Sequence, residues 1–293
     1  MKFATVKQKN QEIAALVVGD HFFPIPQINT TLSTDWYNTL GEILEHNQLD
    51  KLISWFNRTG REYLENTNDL GQPLSDINFS PLYRHPHKIW GIGLNYRDHA
   101  EDLLEKTPSL IPASFMKSDT TIIGPNDTIF IPTQSSKTTG EAELGVIIKK
   151  KCKNIPREDW LEVVAGFTTI IDMTAEDILR KNPRYLTLSK NFDTFFSFGP
   201  LLITPDEFAD IMDLSIATVI NGEVHAKNTL SNMTFPPDFL VSFHSEIMTL
   251  LPGDIISTGT PRAVQLRDGD IIECQIDGFM SLKNPVKDLK NFQ

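Results

Sequence analysis

The sequence predicts an α+β fold that is mostly strand, with a small α+β extension over about residues 1–80 ahead of a larger β-rich part over 81–293. Three observations carry this. The larger part is a succession of short apolar runs (IFIP, AELGVIIKK, GFTTIID, PLLIT, LSIATVING, DIISTG and DIIECQID) bounded by Gly, Pro, Asn or Asp, as strand ends tend to be. The smaller part holds one stretch, DWYNTLGEILEHNQLDKLISWF, whose apolar positions recur at a helical period. Between them NTNDLGQPLSDINFSP, residues 66–81, is poor in apolar residues and rich in turn formers, and reads as a linker or irregular crossing segment.

Composition supports a globular protein of enzyme size. A chain of 293 residues with 40% hydrophobic side chains can bury a sizeable core. The formal net charge of -11 argues against a nucleic-acid partner, because phosphate binding needs clustered Lys and Arg. The one basic run, KKKCK at 149–153, reads as a solvated turn. Cys152 and Cys274 lie far apart without metal-ligand spacing, which suits a reduced cytoplasmic protein and inert thiols. The opening MKFATVKQKN has no apolar core after its charges, and no apolar run approaches the ~18 residues of a membrane span.

Turn chemistry punctuates the strands. NGEV at 221–224 predicts a two-residue hairpin, with Asn221 and Gly222 at the positive φ angles of a type I′ turn. PGD at 252–254 and DGD at 268–270 end strands in a similar way.

The chemistry begins with GEAELGVIIKK, residues 140–150, which sets Glu141 and Glu143 into what otherwise reads as a buried strand. Residues two apart in a strand share a face, roughly 6.5–7 Å apart. A third acid, Asp172, closes the apolar strand VVAGFTTIID, where a carboxylate is costly unless something positive compensates it. Thr174 and Asp177 follow in capping-box spacing, which gives Asp177 a structural task that Asp172 lacks. Three acidic side chains from two strands form a hard-cation site suited to Mg²⁺, with zinc disfavoured because no His or Cys shares the cluster.

A second constellation is GIGLNYRDHAEDL, residues 91–103. Its glycines lack the third Gly and the later acid of a dinucleotide fingerprint, so it reads as a strand followed by a helix. His99 and Asp102, three apart on that helix, form a pair in which an acid can orient an imidazole.

In order along the chain, GLNYRDHAEDL, GEAELGVII, GFTTIIDMTAEDI, SKNFDTFFSFGP, PGDIISTGTP and DGDIIECQIDGFMSLKNPV resemble the fumarylacetoacetate hydrolase superfamily over about residues 87–287. The resemblance implies a mixed β-sandwich roll, a homodimer, and Mg²⁺ or Mn²⁺ held by Glu141, Glu143 and Asp172. It implies that His99 and Asp102 act as a general-base dyad on a lid, and that Lys190 and Thr260 contact the carboxylate or oxo oxygens of a 2-oxo acid. Arg97, inside the first motif, joins the candidate substrate contacts. Lys190 suits its role chemically, since a cation near the metal pairs with an anionic substrate. At STGTP, backbone N–H groups and a hydroxyl can cradle a carboxylate.

Three departures from the family pattern touch substrate choice. Asp102 stands where Glu is usual, one methylene shorter. Leu179 stands where many small-substrate members carry Gln, with Arg180, Arg184 and Tyr185 as nearby substitutes for the lost contact. RAVQLRDGD replaces the usual Gly-Val-Gly after TGTP.

The expected reaction is hydrolysis of a carbon–carbon bond in a 2,4-dioxo acid of the fumarylacetoacetate or acylpyruvate type, with a pyruvate-like enolate as leaving group. Oxaloacetate decarboxylation and isomerisation of a 2-hydroxy-diene-dioate share that enolate. The non-enzyme alternatives are a metal-stabilised dimer that senses an oxo acid and a structural calcium site.

Overall fold

The structure is a computed structural model and describes residues 1–67, 70–96 and 110–292. Its strands, in chain order, are β1 (Lys2–Gln8), β2 (Gln11–Val18), β3 (His21–Pro24), β4 (Gln72–Pro73), β5 (Ile89–Gly93), β6 (Ala113–Lys117), β7 (Ile122–Ile123), β8 (Ile129–Ile131) and β9 (Thr138–Ile148). They continue as β10 (Val164–Ala175), β11 (Phe196–Ile203), β12 (Ser215–Ile220), β13 (Glu223–Thr229), β14 (Ile255–Ser257), β15 (Val264–Gln265), β16 (Ile271–Ile276) and β17 (Leu282–Asp288). The fold is α+β and rich in strand, as the apolar runs predict.

Twelve strands form one sheet in the order β4-β3-β2-β1-β11-β10-β9-β14-β5-β6, with β15 on β9 and β7 on β11. The other five form a second sheet, β13-β12-β16-β17-β8. The two long strands β9 and β10 pair antiparallel at the centre of the large sheet, Asp172 opposite Glu141 and Ile170 opposite Glu143. Every residue of both is buried, because both faces of this sheet are covered.

Alternation along β9 sorts its side chains. Ala142, Leu144, Val146 and Ile148 share a core with Ile216, Ile272, Ile276, Leu282 and Val286 of the second sheet. Ile147 packs on the opposite face in a core with Ile170, Phe196, Phe198 and Ile255, covered by Ile25, Ile28, Leu40, Ile43, Leu49 and Leu52 from the N-terminal helices. Glu141 and Glu143 are in step with Ile147, so they lie on the helix-covered face. The N-terminal residues also enlarge the sheet itself, since β1 pairs with β11.

Local predictions meet three revisions. The single helical stretch 35–56 is two helices, Leu40–Glu45 and Leu49–Trp55, divided where Asn47 adopts φ 54°. A side-chain N-cap lies instead at Thr39, whose hydroxyl accepts the Glu42 amide at 3.3 Å and donates to Glu42 Oε2 at 2.7 Å. Thr174 and Asp177 form no capping box. The helix Glu176–Lys181 starts after Ala175 without a side-chain cap, and β10 runs on to Ala175, past Asp172. Asp177 instead accepts from the Ser135 hydroxyl at 2.7 Å and from the Ser136 amide and hydroxyl. The hairpin at Asn221 and Gly222 has the expected positive φ angles, 53° and 83°.

Candidate metal centre

The register of β9 against β10 brings three carboxylates to one place. Oxygens of Glu141, Glu143 and Asp172, one from each, all lie within 4.8 Å of one another, and all three side chains are buried. Asp172 is fully buried and Glu143 nearly so, at 2% exposure. Like-charged groups this close need compensation in a medium that screens poorly.

Part of it comes from lysines. Lys190 ends the helix Leu186–Lys190 and donates to Glu141 Oε2 at 2.8 Å and to Asp172 Oδ2 at 2.7 Å, with its ammonium 4.8 Å over the Phe115 ring. Lys117, the last residue of β6, places Nζ 2.6 Å from Asp172 Oδ1, off the direction of an aligned hydrogen bond, so this contact is an ion pair. Thr174 Oγ1 donates to Glu141 Oε1 at 2.9 Å.

Glu143 is held differently. Its Oε2 accepts the Ser257 hydroxyl at 2.5 Å and the Gly259 amide at 2.8 Å, both at the end of β14. The Gly259 backbone has φ +94°, and a Cβ there would stand 2.8 Å from both Asn95 Cβ and Ile92 O. Glycine is required by both the angle and the space. Asn95 ties this loop down. Its Nδ2 donates to Thr258 O at 2.7 Å and Phe235 O at 3.0 Å, and its Oδ1 accepts the Phe235 amide at 2.8 Å.

Electrostatics separate the acids. Burial, then Asp172 and Glu141 beside it, pushes the Glu143 carboxyl up to about 8. Burial acts the same way on Asp172, but Lys117 and Lys190 outweigh it and hold that carboxyl below its usual range. For Lys190 burial is outweighed by Asp172 and the two glutamates, so its ammonium is held above its usual range. Two lysines against three carboxylates leave the centre one charge short, and the deficit falls on Glu143. This is what a site for a further cation looks like. The donors are all carboxylate oxygen, which suits Mg²⁺ or Mn²⁺.

The remaining candidates are scattered. Thr260 is buried one residue past Gly259, and its Oγ1 donates to Arg262 O at 3.2 Å. Arg184 and Tyr185 are exposed in the turn before the helix Leu186–Lys190, with Tyr185 at 45% exposure. Leu179 is half-buried, and Arg180 pairs with Glu176 at 2.5 Å. Arg97, His99 and Asp102 lie outside the described residues. Both thiols are buried and pushed up by burial, Cys152 to about 11 and Cys274 to about 12. No described helix is long and apolar enough to cross a membrane.

Sequence reasoning missed Lys117, Thr174, Ser257, Gly259 and Asn95 as parts of this centre. A signal existed for Lys117: in ASFMK it alternates in step with Phe115, an inward charge on a strand. Asn95 stands within the GLNY motif, yet its two partners, Phe235 and Thr258, are 140 and 163 residues away and leave no local trace.

Fold and site together define an α+β protein with a cluster of three buried carboxylates, able to hold a cation, on the face of a large sheet. The family described as fumarylacetoacetate (FAA) hydrolase C-terminal matches residues 88–287, and the chain belongs to that family. It is 40% identical over 242 residues to an uncharacterized protein of Methanocaldococcus jannaschii, covering 81% of this chain and 99% of that one. To the mitochondrial oxaloacetate tautomerase Fahd2a of Rattus norvegicus it is 36% identical over 222 residues, 73% of this chain and 71% of the relative. Among solved structures it is similar to the maleylpyruvate hydrolase of Sphingobium sp. SYK-6 in complex with manganese(II) and pyruvate. That likeness has a TM-score of 0.78 and 25% identity, and covers 98% of this chain and 99% of the other.

Proposed function

We propose that the protein is a divalent-metal-dependent enzyme that stabilises the enolate of a 2-oxo acid, with Glu141, Glu143 and Asp172 as the ligands of Mg²⁺ or Mn²⁺. The observation that carries this is the charge-deficient cluster of three buried carboxylates with Lys190 at its edge. When bound, the ion supplies Lewis-acid stabilisation of charge developing on the substrate's oxygens.

The chain's own residues supply the rest. Lys190 sits where an ammonium can pair with an anionic carboxylate or enolate oxygen, and its low-dielectric surroundings strengthen that pairing. Gly259 and Ser257 keep Glu143 oriented through Oε2, and Thr174 does the same for Glu141 through Oε1. Packing of both long strands in the core fixes the three acids in place before any ligand arrives.

The reaction favoured is enol–keto tautomerisation of oxaloacetate. A relative that is 36% identical over 222 residues is named an oxaloacetate tautomerase, and proton transfer on an enolate needs no activated water. Hydrolysis of a 2,4-dioxo acid is the second reading, supported by the maleylpyruvate hydrolase neighbour, and it gives His99 with Asp102 the work of activating water. Decarboxylation and diene isomerisation would draw on the same centre. A homodimer is part of the proposal.

The test is the loss of enol-oxaloacetate absorbance against pyruvate release from acetylpyruvate, with Mg²⁺ and with chelator, in wild type and His99→Ala. Fast metal-dependent enol loss without acetylpyruvate cleavage supports the tautomerase. Metal-dependent acetylpyruvate cleavage that His99→Ala lowers by about 10²-fold or more supports the hydrolase. No turnover of either with metal present would refute both.

A further inference from the structure

Lys117 has no task in the reaction just proposed, yet it is among the most enclosed charges of the described residues. It closes β6 at an inward position in step with Phe115, and its side chain has no exposure to solvent. An ammonium there has lost its water and needs partners for three N–H groups.

It has three. Nζ pairs with Asp172 Oδ1 at 2.6 Å, donates to the backbone carbonyl of Lys190, and reaches that of Met173 at 3.5 Å. The two lysines of the centre therefore differ in kind. Lys190 Nζ turns to carboxylate oxygens alone, which a ligand can redistribute. Lys117 is fastened to two main-chain carbonyls as well, one on β10 and one at the end of the helix that carries Lys190.

We infer that Lys117 is a positioning residue of the cation centre. It locks the Asp172 carboxylate and the backbone of Lys190 into one unit and contributes nothing to the substrate. The inference rests on the metal-centre reading above. With Oδ1 engaged by Lys117, the Asp172 carboxylate is fixed with Oδ2 on the side of Glu141, and the Lys190 main chain is fixed so that its side chain returns to the same place. The division of labour is geometric, because Lys117 is held by a carboxylate and two main-chain carbonyls, whereas Lys190 Nζ is held by carboxylates alone.

Charge alone predicts the opposite effect from position, and this makes the inference testable. Removing a cation beside a cation site should tighten metal binding if Lys117 is only a counter-charge. Removing the residue that orients a ligand should weaken it, by about 10–100-fold for outer contacts of this kind.

The experiment is a Mn²⁺ titration of chelator-treated protein, followed by the electron paramagnetic resonance of free Mn²⁺, on wild type, Lys117→Met and Asp172→Asn. The expected result is a Kd for Lys117→Met raised about tenfold or more. Unchanged or tighter binding by folded Lys117→Met overturns the inference, and so does a lower Tm in chelator with wild-type affinity, which marks a merely structural role. Should Lys117→Met not fold, Lys117→Gln is titrated, with the same direction expected and wild-type affinity again overturning. Failure of the underlying reading looks different: wild type itself would not bind Mn²⁺, or Asp172→Asn would bind it as well as wild type does.

Discussion

Replacing Gly259 with Ala tests how the strand-end loop holds the centre. The residue has φ +94°, a region where a side chain costs about 1–2 kcal/mol. The new Cβ would also stand 2.8 Å from Asn95 Cβ and Ile92 O, and one of these neighbours is backbone, which cannot rotate away. Such overpacking costs about 1–3 kcal/mol. Ala recovers about 0.4–1 kcal/mol by restricting the unfolded chain. The net is a loss of about 1–4.6 kcal/mol, or a Tm lower by about 2–7 °C for a chain of 293 residues. Because the Gly259 amide donates to Glu143 Oε2, Mn²⁺ affinity should fall with it.

The control is Gly222→Ala, with φ +83° and nothing within 4 Å of the added Cβ. It carries the conformational cost, less the same unfolded-state gain, without the clash, so Tm should fall by at most about 3 °C and Mn²⁺ affinity should not change. Thermal denaturation and Mn²⁺ titration of both variants decide the matter. Equal Tm losses in the two, or a Gly259→Ala protein that binds Mn²⁺ like wild type, would refute the claim that this loop shapes the site.

Three more expectations follow from the same structure. Asp172→Asn should abolish Mn²⁺ binding and activity together, and a variant that retains either in titration or turnover would sever Asp172 from the centre. Asn95→Ala strands three buried partners at Thr258 and Phe235 and should cost about 3–5 kcal/mol in urea unfolding, whereas a loss under about 1 kcal/mol would deny Asn95 its clamping role. His244 is buried against Trp90, donates from Nδ1 to Leu240 O at 2.7 Å and accepts the Ser114 hydroxyl at Nε2 at 2.8 Å, and burial holds its imidazole below the usual 6.5. The unfolded chain then takes the proton first, so this stability is complete above about pH 6.5 and shrinks by up to about 1.4 kcal/mol per pH unit below it. The Tm advantage of wild type over His244→Gln should narrow from pH 7.5 to 5.5, and a constant advantage would refute the assignment.

Much of the centre was legible because its three carboxylates sit on two strands whose apolar periodicity is strong. Glu141 and Glu143 break that pattern in step, and Asp172 breaks it once more, so the acids announce themselves as costly. What the sequence could not carry was pairing. Nothing local says that Asp172 lies opposite Glu141, or that Ser257 and Gly259 come from a third strand end to hold Glu143. Lys117 is separated from Asp172 by three strands and the turns between them, and only their meeting in space gives the lysine its role. The capping-box spacing of Thr174 and Asp177 misled for the opposite reason: a local rule fitted, but both side chains are drawn to non-local partners, Glu141 and the Ser135–Ser136 turn. Tertiary contacts outweigh a cap worth about 1 kcal/mol.

The most direct test of the central claim is a crystal structure grown with Mn²⁺ and oxalate, read by the anomalous signal of manganese. The expected result is one peak with an oxygen from each of Glu141, Glu143 and Asp172 at about 2.0–2.2 Å, oxalate completing the coordination and Lys190 against an oxalate oxygen. A peak elsewhere, or none while Lys190 still bridges Glu141 and Asp172, would contradict it.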